Sequence, residues 1–423
     1  GYMASPTNFK GGINNQTYFL CNDWNDDCWN YTYSGVMTNQ LRVKEKCEMV
    51  EGGLYDHFNA INTILRVLAM SRICDQYGPI IYSKYGETMT GGEYDSAQEA
   101  YEMFFQELDE AVTVLNNTLG KPAPSFDKFD LSYGGELENW MKLANTLRLR
   151  LAMRIVKYDP DWAKEEAEEA IHAPQGLMTS ENDNFTVSGY GWKHPLYTCS
   201  RSYKDIFISA NIQSVLGGYN DPRLLKYGIP KTGTNVIGVR SGIPDLDVLE
   251  SQYKNIISEI NITSPEMPAV IVTASEAYFL LAEASLRGWD TGGSAQHFYE
   301  EGIRVSFAQW GVSLGEYLNN TNVPADWIDP IREDFNSFAV SNVSPRWDDA
   351  ENDEERLEKI ITQKWIAGFP EGMNAWAEWR RTGYPRLFPI LKNDSQGEIP
   401  TELGVRRLTF TIREQRENPE GYS

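Results

Sequence analysis

Residues 273–289 read TASEAYFLLAEASLRGW, and they give the clearest indication of the architecture of this chain. Thr273 and Glu276 have the spacing of a capping box, which predicts that a helix begins there. Apolar residues then recur at helical spacing, and after Gly292-Gly293 a second helix is predicted from Ser294 to Gln309. Two helices joined by a short turn are typical of tetratricopeptide-type helical pairs.

Further helical pairs are predicted before and after this one. One helix ends at Gly78-Pro79, another begins at a capping box from Ser96 to Glu99, and a pair runs from Leu137 to Ala173 with a break at Asp159-Pro160. The remaining predicted helices are Glu354–Ala367 and Gly372–Thr382.

The predicted fold class is therefore mainly α, with a single domain over residues 1–423. Its scaffold consists of tetratricopeptide-like helical pairs at residues 53–175, 273–310 and 354–385. The first forty residues are expected to form a loop. Binding surfaces usually lie on irregular segments that a rigid scaffold positions, so we expect loop-rich insertions to face a ligand. These insertions are residues 1–52, 176–272, 311–350 and 386–423.

The net charge limits the classes of partner. The 423 residues include 38 Lys and Arg and 60 Asp and Glu, which gives a formal net charge of −22. An acidic protein repels phosphate backbones and anionic lipid headgroups, so nucleic-acid binding and electrostatic membrane docking are not expected. No run of ~18 apolar residues predicts a membrane-spanning helix. The chain begins Gly1-Tyr2-Met3, so either the protein is cytosolic or an export signal has been removed.

Several motifs that supply catalytic groups or metal ligands are absent from the sequence. HExxH, GxGxxG and GxxxxGK[ST] do not occur, and no two of the four His residues are three or four positions apart. Asp23, Asn25 and Asp27 alternate as at the start of an EF-hand, but Cys28 and Ser34 stand where Gly and Glu are required. The sequence does not decide whether other loops form a calcium site.

Cysteine spacing does not settle the compartment. The five cysteines form no CxxC pair, so a zinc site is not expected. Cys21 and Cys28 could close a small disulfide loop in an oxidising compartment, and the odd count would leave at least one free thiol.

Two blocks of sequence closely resemble the SusD/RagB family of nutrient-binding outer-membrane lipoproteins from Bacteroidetes. The first is Ala274–Ala284 with Gly288-Trp289 and Phe298–Phe307, and the second is Ile361–Ala367 with Ala375–Pro385. Weaker blocks agree in order, namely Asp75–Tyr82, Leu143–Arg150, Tyr219–Arg223 and Arg406–Phe410.

The resemblance covers residues 50–423 and implies a function as well as a fold. Family members are extracellular lipoproteins at the outer membrane that cap a SusC-like, TonB-dependent transporter. Their ligand is usually an oligosaccharide or polysaccharide, and in some members a peptide. The resemblance implies no enzymatic activity and no cofactor. It also implies that Trp376, Glu378, Arg380 and Arg381 hold the scaffold together or face the transporter.

Two departures from the family pattern concern the amino-terminal part. Cys21 lies too far inside the chain to be the lipidated cysteine, so the lipid anchor in the membrane is an inference from the resemblance. The family usually has an additional helical stretch near Asn59–Asn62, so we expect a segment to be absent from this chain.

Two regions carry the mixture of rings, amides and charges that binds sugars. Aromatic rings stack against the apolar faces of sugars, and polar side chains bind the hydroxyl groups. The first region is residues 22–33 and the second is residues 190–203, which begins at Tyr190. The predicted ligand-binding residues are Trp24, Asn25, Trp29, Tyr31 and Tyr33 in the first region, and Trp192, Arg201 and Tyr203 in the second.

Two other classes of protein compete with a glycan receptor. A secreted glycosidase or lyase on an α/α toroid would need about six similar helical hairpins, whereas three are clear here. A tetratricopeptide scaffold that binds a protein segment would show a cleaner ~34-residue period.

Overall fold

The computed structural model describes residues 1–6, 15–87, 92–189, 191–244 and 246–422. The chain divides into two compact units. The N-terminal unit comprises residues 21–178, 289–291 and 406–423, and the C-terminal unit comprises residues 1–20, 179–288 and 292–405. Because this division does not establish whether either unit folds alone, one domain over residues 1–423 stays a prediction.

The described residues are mainly helical. In chain order the helices are α1 (Asn22–Tyr31), α2 (Thr38–Glu48), α3 (Asp56–Tyr77), α4 (Ala97–Thr118), α5 (Leu137–Ile155), α6 (Pro160–His172), α7 (Pro195–Tyr197), α8 (Ala210–Gly218), α9 (Leu224–Tyr227), α10 (Leu246–Lys254), α11 (Ala274–Leu286), α12 (Ala295–Gln309), α13 (Asp353–Ala367), α14 (Gly372–Thr382), α15 (Ile412–Glu417) and α16 (Pro419–Tyr422). No helix among the described residues is both long and apolar enough to cross a membrane.

The strands are short and pair antiparallel within the C-terminal unit. Met3 lies opposite Ile208, Phe185 opposite Val272, and Gly228 opposite Ile260. The strands are β1 (Met3–Ala4), β2 (Phe185–Val187), β3 (Phe207–Ile208), β4 (Gly228–Ile229), β5 (Glu259–Ile260) and β6 (Ala269–Val272).

In the N-terminal unit, α3 packs on α4, α4 on α5, and α5 on α6. The predicted capping box is confirmed, because Ser96 Oγ accepts from the Glu99 amide at 3.2 Å and Glu99 accepts from the Ser96 amide at 2.8 Å. The predicted break is also confirmed. Asp159 accepts from two amides in the first turn of α6, and Pro160 occupies the first helical position, where no amide donor is needed.

In the C-terminal unit, α11 packs against α12 and α13. Gly302 on α12 lies over the ring of Phe279 on α11, and an added Cβ would lie 2.8 Å from that ring. The glycine therefore lets the two helices approach closely. The predicted pair of helices in residues 273–309 is confirmed.

A buried charge network ties α11 to α13 and α14. Arg381 donates two hydrogen bonds to Glu283, both 2.6 Å long, and one of 2.6 Å to Glu378. The Nζ of Lys364 lies 3.4 Å from carboxylate oxygens of both Glu276 and Glu378. Arg381 and Glu378 therefore belong to the scaffold, as the resemblance implied.

The expectation that the first forty residues form a loop is wrong from Asn22 onwards. Residues 22–31 form α1, residues 32–37 form a π-helix, and α2 follows directly. On α1 the buried residues are Asn25 and Trp29, four positions apart, so the buried stripe contains one apolar residue. The apolar periodicity that signals a helix is therefore too weak to detect.

The cysteines are free thiols. All five lie among the described residues, and none is in a disulfide. Cys21 immediately precedes α1 and Cys28 lies within it, so the two Cα atoms are separated by about two helical turns, or ~10 Å. A disulfide requires Cα atoms closer than ~7 Å, which rules out the Cys21–Cys28 bridge in this conformation.

Candidate functional site

The exposed face of α1 presents two aromatic rings and a carboxylate. Trp24 is 41% exposed and Tyr31 is 72% exposed. Asp27 lies between them in sequence and is also exposed. Positions i, i+3 and i+7 share one side of a helix, so these three side chains form a single surface. We call it the α1 platform.

The opposite face of α1 anchors the helix. Trp29 is only 2% exposed and packs against Tyr77, with ring centroids 5.2 Å apart, and against Phe410 at 5.9 Å. Asn25 is buried, and its Nδ2 donates to the carbonyl of Thr409 at 2.9 Å. The structure therefore gives Trp29 and Asn25 an anchoring position in place of the predicted ligand contact.

Tyr33 anchors the π-helix that follows α1. Its hydroxyl accepts from the amide of Ile81 at 2.9 Å, and burial raises the pKa of this phenol well above its usual range. The Thr38 amide donates to the carbonyl of Tyr33, five residues back, which is the bond that defines a π-helix. Such turns are rare and are often found at functional sites.

The second predicted region lies in the C-terminal unit, and two of its predicted ligand-binding side chains form hydrogen bonds within that unit. Tyr190 lies outside the described residues. Trp192 is half-buried, and its Nε1 donates to the carbonyl of Met267 at 3.0 Å. Arg201 forms an ion pair with Glu259 and donates through Nε to the carbonyl of Ile262 at 3.2 Å.

Tyr203 is the well-exposed member of this second set. Its side chain is 67% exposed, and it ends a π-helix over residues 198–203. Both predicted regions therefore combine an exposed tyrosine with a π-helical turn, although each belongs to a different unit.

His194 fixes the start of the second region. Its Nδ1 accepts from the Leu196 amide at 3.2 Å, and its own amide donates to the carbonyl of Pro265 at 2.7 Å. Burial lowers the pKa of this imidazole, which favours the neutral form that can accept. The residue therefore caps α7 only while Nδ1 is unprotonated.

Two clefts have lining residues that were not predicted from the sequence. The C-terminal unit has an open groove of about 440 Å³ that is rich in amides, lined by Tyr219, Asn220, Pro222, Leu314, Glu316, Tyr317, Asn319, Asn320, Thr321 and Asn322. The run from Asn319 to Asn322, inside the 311–350 insertion, is the sequence signal that could have identified it.

The N-terminal unit has a charged cleft between α3 and α4. Its volume is about 330 Å³, and Arg66 pairs with Glu107 at 2.5 Å on its wall. Helix α3 runs without a break through Asn59–Asn62, which line this cleft in part. Among the described residues no group of three or more His, Cys, Asp or Glu side chains could hold a metal ion.

Comparison with protein families gives a match over the whole chain. The matching profile is described as SusD-like, Susd and RagB outer membrane lipoprotein, and it covers residues 1–423. The chain belongs to the SusD-like family. The family prediction and the mainly α, SusD-like fold class are thereby confirmed. No curated protein sequence matches the chain significantly.

Solved SusD-like structures are similar over the full chain. A chitin-binding SusD homolog from Flavobacterium johnsoniae is 45% identical with a TM-score of 0.94, and the match covers 100% of this chain and 87% of that one. A SusD homolog from Bacteroides vulgatus is 38% identical with a TM-score of 0.92, covering 100% and 86%. One from Bacteroides uniformis is 36% identical with a TM-score of 0.92, covering 100% and 88%.

Proposed function

We propose that this SusD-like chain is a non-catalytic glycan-binding protein of the outer membrane. It captures an oligosaccharide at the cell surface and delivers it to a SusC-like, TonB-dependent transporter. The observation that carries the proposal is the α1 platform, in a chain 45% identical to a chitin-binding SusD homolog. A lipid anchor holds the protein in the membrane, and binding needs no cofactor.

The α1 platform supports sugar binding through its chemistry and its rigidity. Exposed rings of Trp24 and Tyr31 offer apolar faces, and the Asp27 carboxylate accepts hydrogen bonds from hydroxyl or amide groups. Because Trp29 and Asn25 anchor the helix, binding orders little additional chain, which reduces the entropic cost. The net charge of −22 favours neutral glycans over sulfated ones.

Affinity electrophoresis through gels that contain glycol chitin, xylan, mannan or starch tests the binding step. We expect retardation in one gel, without new reducing ends. Trp24→Ala and Tyr31→Ala should each weaken binding several-fold, since one aromatic contact contributes about 1 kcal/mol. Retardation with new reducing ends would show a hydrolase instead.

Tyr158→Ala is the matched control for Tyr31→Ala. Tyr158 lies in the same unit and is 67% exposed, so its loss should leave both binding and thermal stability unchanged. Binding that survives the loss of both Trp24 and Tyr31 would contradict the assignment of the α1 platform.

The delivery step needs a separate test in the native membrane. We expect the lipidated protein, purified in mild detergent from outer membranes, to bring with it a TonB-dependent transporter that mass spectrometry identifies. Surface labelling of intact cells should reach the protein. Purification without any such transporter would contradict delivery but not glycan binding.

A further inference from the structure

The two rings of the α1 platform have a fixed spacing. Trp24 and Tyr31 are seven residues apart on one continuous helix. Seven residues make about two turns and rise ~10.5 Å along the axis. Seven residues also return to nearly the same side of a straight helix, with a drift of only ~20°. The two side chains therefore leave the helix in line along its axis, from Cα atoms ~10.5 Å apart.

The space between the rings has a different character. Asp27, exposed on the same face, lies one turn from each ring. Beside it the Cys28 thiol points to α3 and donates to Gln76 Oε1 at 3.4 Å. A ligand that lies along the platform therefore meets a ring, then a carboxylate, then a second ring.

This order matches a polymer whose alternate units present the same face. In an extended β-1,4-linked chain each pyranose is rotated by about half a turn from its neighbour. Sugars n and n+2 then turn the same face to one side, and they are separated by one disaccharide repeat. Two turns of helix have about this length. An α-1,4-linked chain curves, so the faces of its successive sugars do not stay aligned with two rings that lie along a straight helix.

We infer that the α1 platform selects extended β-1,4-linked oligosaccharides and that a trisaccharide is the shortest ligand to reach both rings. This inference rests on the proposed glycan-binding function and specifies its substrate class. Sugar n stacks on Trp24 and sugar n+2 on Tyr31. The central sugar, which faces the other way, donates a hydrogen bond to Asp27.

Isothermal titration with oligosaccharides of two to six sugars tests the inference. The probes are chito-, cello- and manno-oligosaccharides, which are β-1,4-linked, and malto-oligosaccharides, which are α-1,4-linked. In one β-1,4 series the affinity should rise about fivefold from disaccharide to trisaccharide, the factor that a second ring contact of about 1 kcal/mol gives. It should then change little with length.

The variants identify which contact produces the step. Trp24→Ala and Tyr31→Ala should each abolish the step between disaccharide and trisaccharide, because each leaves one ring. Tyr158→Ala should retain it. Thermal unfolding of Tyr31→Ala and Tyr158→Ala should match that of the unsubstituted protein, because these two side chains are 72% and 67% exposed.

Failure of the inference and failure of the proposed function give different results. Binding that depends on Trp24 and Tyr31, but shows no step at the trisaccharide or favours malto-oligosaccharides, overturns the linkage inference alone. Absence of binding to every oligosaccharide and polysaccharide overturns the proposed function of the platform. So does binding whose affinity is unchanged in both Trp24→Ala and Tyr31→Ala.

Discussion

Neutralising Glu283 should destabilise the C-terminal unit in a pH-dependent way. The side chain is only 1% exposed and accepts two 2.6 Å hydrogen bonds from Arg381, with another of 2.7 Å from Arg287. Burial alone would raise the pKa of Glu283, but the two guanidinium groups outweigh it and lower the pKa to about 2. Relative to the ordinary pKa of a glutamate side chain, 4.5, this shift is equivalent to about 3 kcal/mol of stability.

The sign follows from the lowered pKa. The folded state holds Glu283 ionised more strongly than the unfolded state does, so the stabilisation is complete above pH ~5 and is lost as the pH falls towards 2. About 2 kcal/mol is lost by pH 3. Glu283→Gln leaves Arg381 and Arg287 without this charge, which should cost about 3–5 kcal/mol at pH 7.

Urea unfolding, followed by circular dichroism at pH 7 and pH 3, measures both effects. The difference in unfolding free energy between the unsubstituted protein and Glu283→Gln should narrow by about 2 kcal/mol at pH 3. Glu250→Gln, which removes an i,i+4 ion pair with Lys254 on the surface of α10, should cost less than about 1 kcal/mol at either pH. A difference that stays constant between the two pH values would refute the electrostatic argument.

Three further predictions concern side chains whose positions were described above. Trp29→Ala should lower the unfolding free energy by about 3–5 kcal/mol, because it leaves a cavity under α1; a change below 1 kcal/mol in chemical denaturation would contradict its core position. Gly302→Ala places a Cβ 2.8 Å from the Phe279 ring and should cost about 1–3 kcal/mol; an unchanged melting temperature would show that the helices can separate freely. Burial lowers the pKa of His194, so the stability that its neutral form gives the fold is complete above pH ~6.5 and is lost as the pH falls. His194→Asn keeps an acceptor for the Leu196 amide but does not titrate, so its unfolding free energy in urea should fall less between pH 7 and pH 5 than that of the unsubstituted protein. Equal losses in the two proteins would contradict the capping role.

Helix ends with strong local signals could be predicted from the sequence. The helix Gly372–Thr382 begins and ends where the sequence indicated, and Ser96 and Asp159 cap α4 and α6 as expected. These signals act within four residues, so they do not depend on the tertiary structure. The contact between Glu283 and Arg381 joins residues 98 positions apart, and no local pattern encodes it.

The candidate site could be predicted in composition but not in geometry. The sequence singled out Trp24, Trp29 and Tyr31 together, because the three rings occur among the same amides and carboxylates. Only the helical geometry of α1 separates the exposed rings of Trp24 and Tyr31 from the buried ring of Trp29. Because α1 has one apolar residue on its buried face, the sequence pattern did not reveal a helix. Without the helix, the exposed and buried faces of residues 22–31 could not be distinguished either.

The contacts that anchor α1 have a consequence for biosynthesis. Asn25 donates to the carbonyl of Thr409, which lies 384 positions later in the chain, and Trp29 packs on Phe410. A growing polypeptide therefore cannot complete the environment of α1 until Thr409 and Phe410 have been synthesised. The α1 platform is among the last parts of the molecule to mature, and a chain that stops before Thr409 lacks the contacts that anchor this helix.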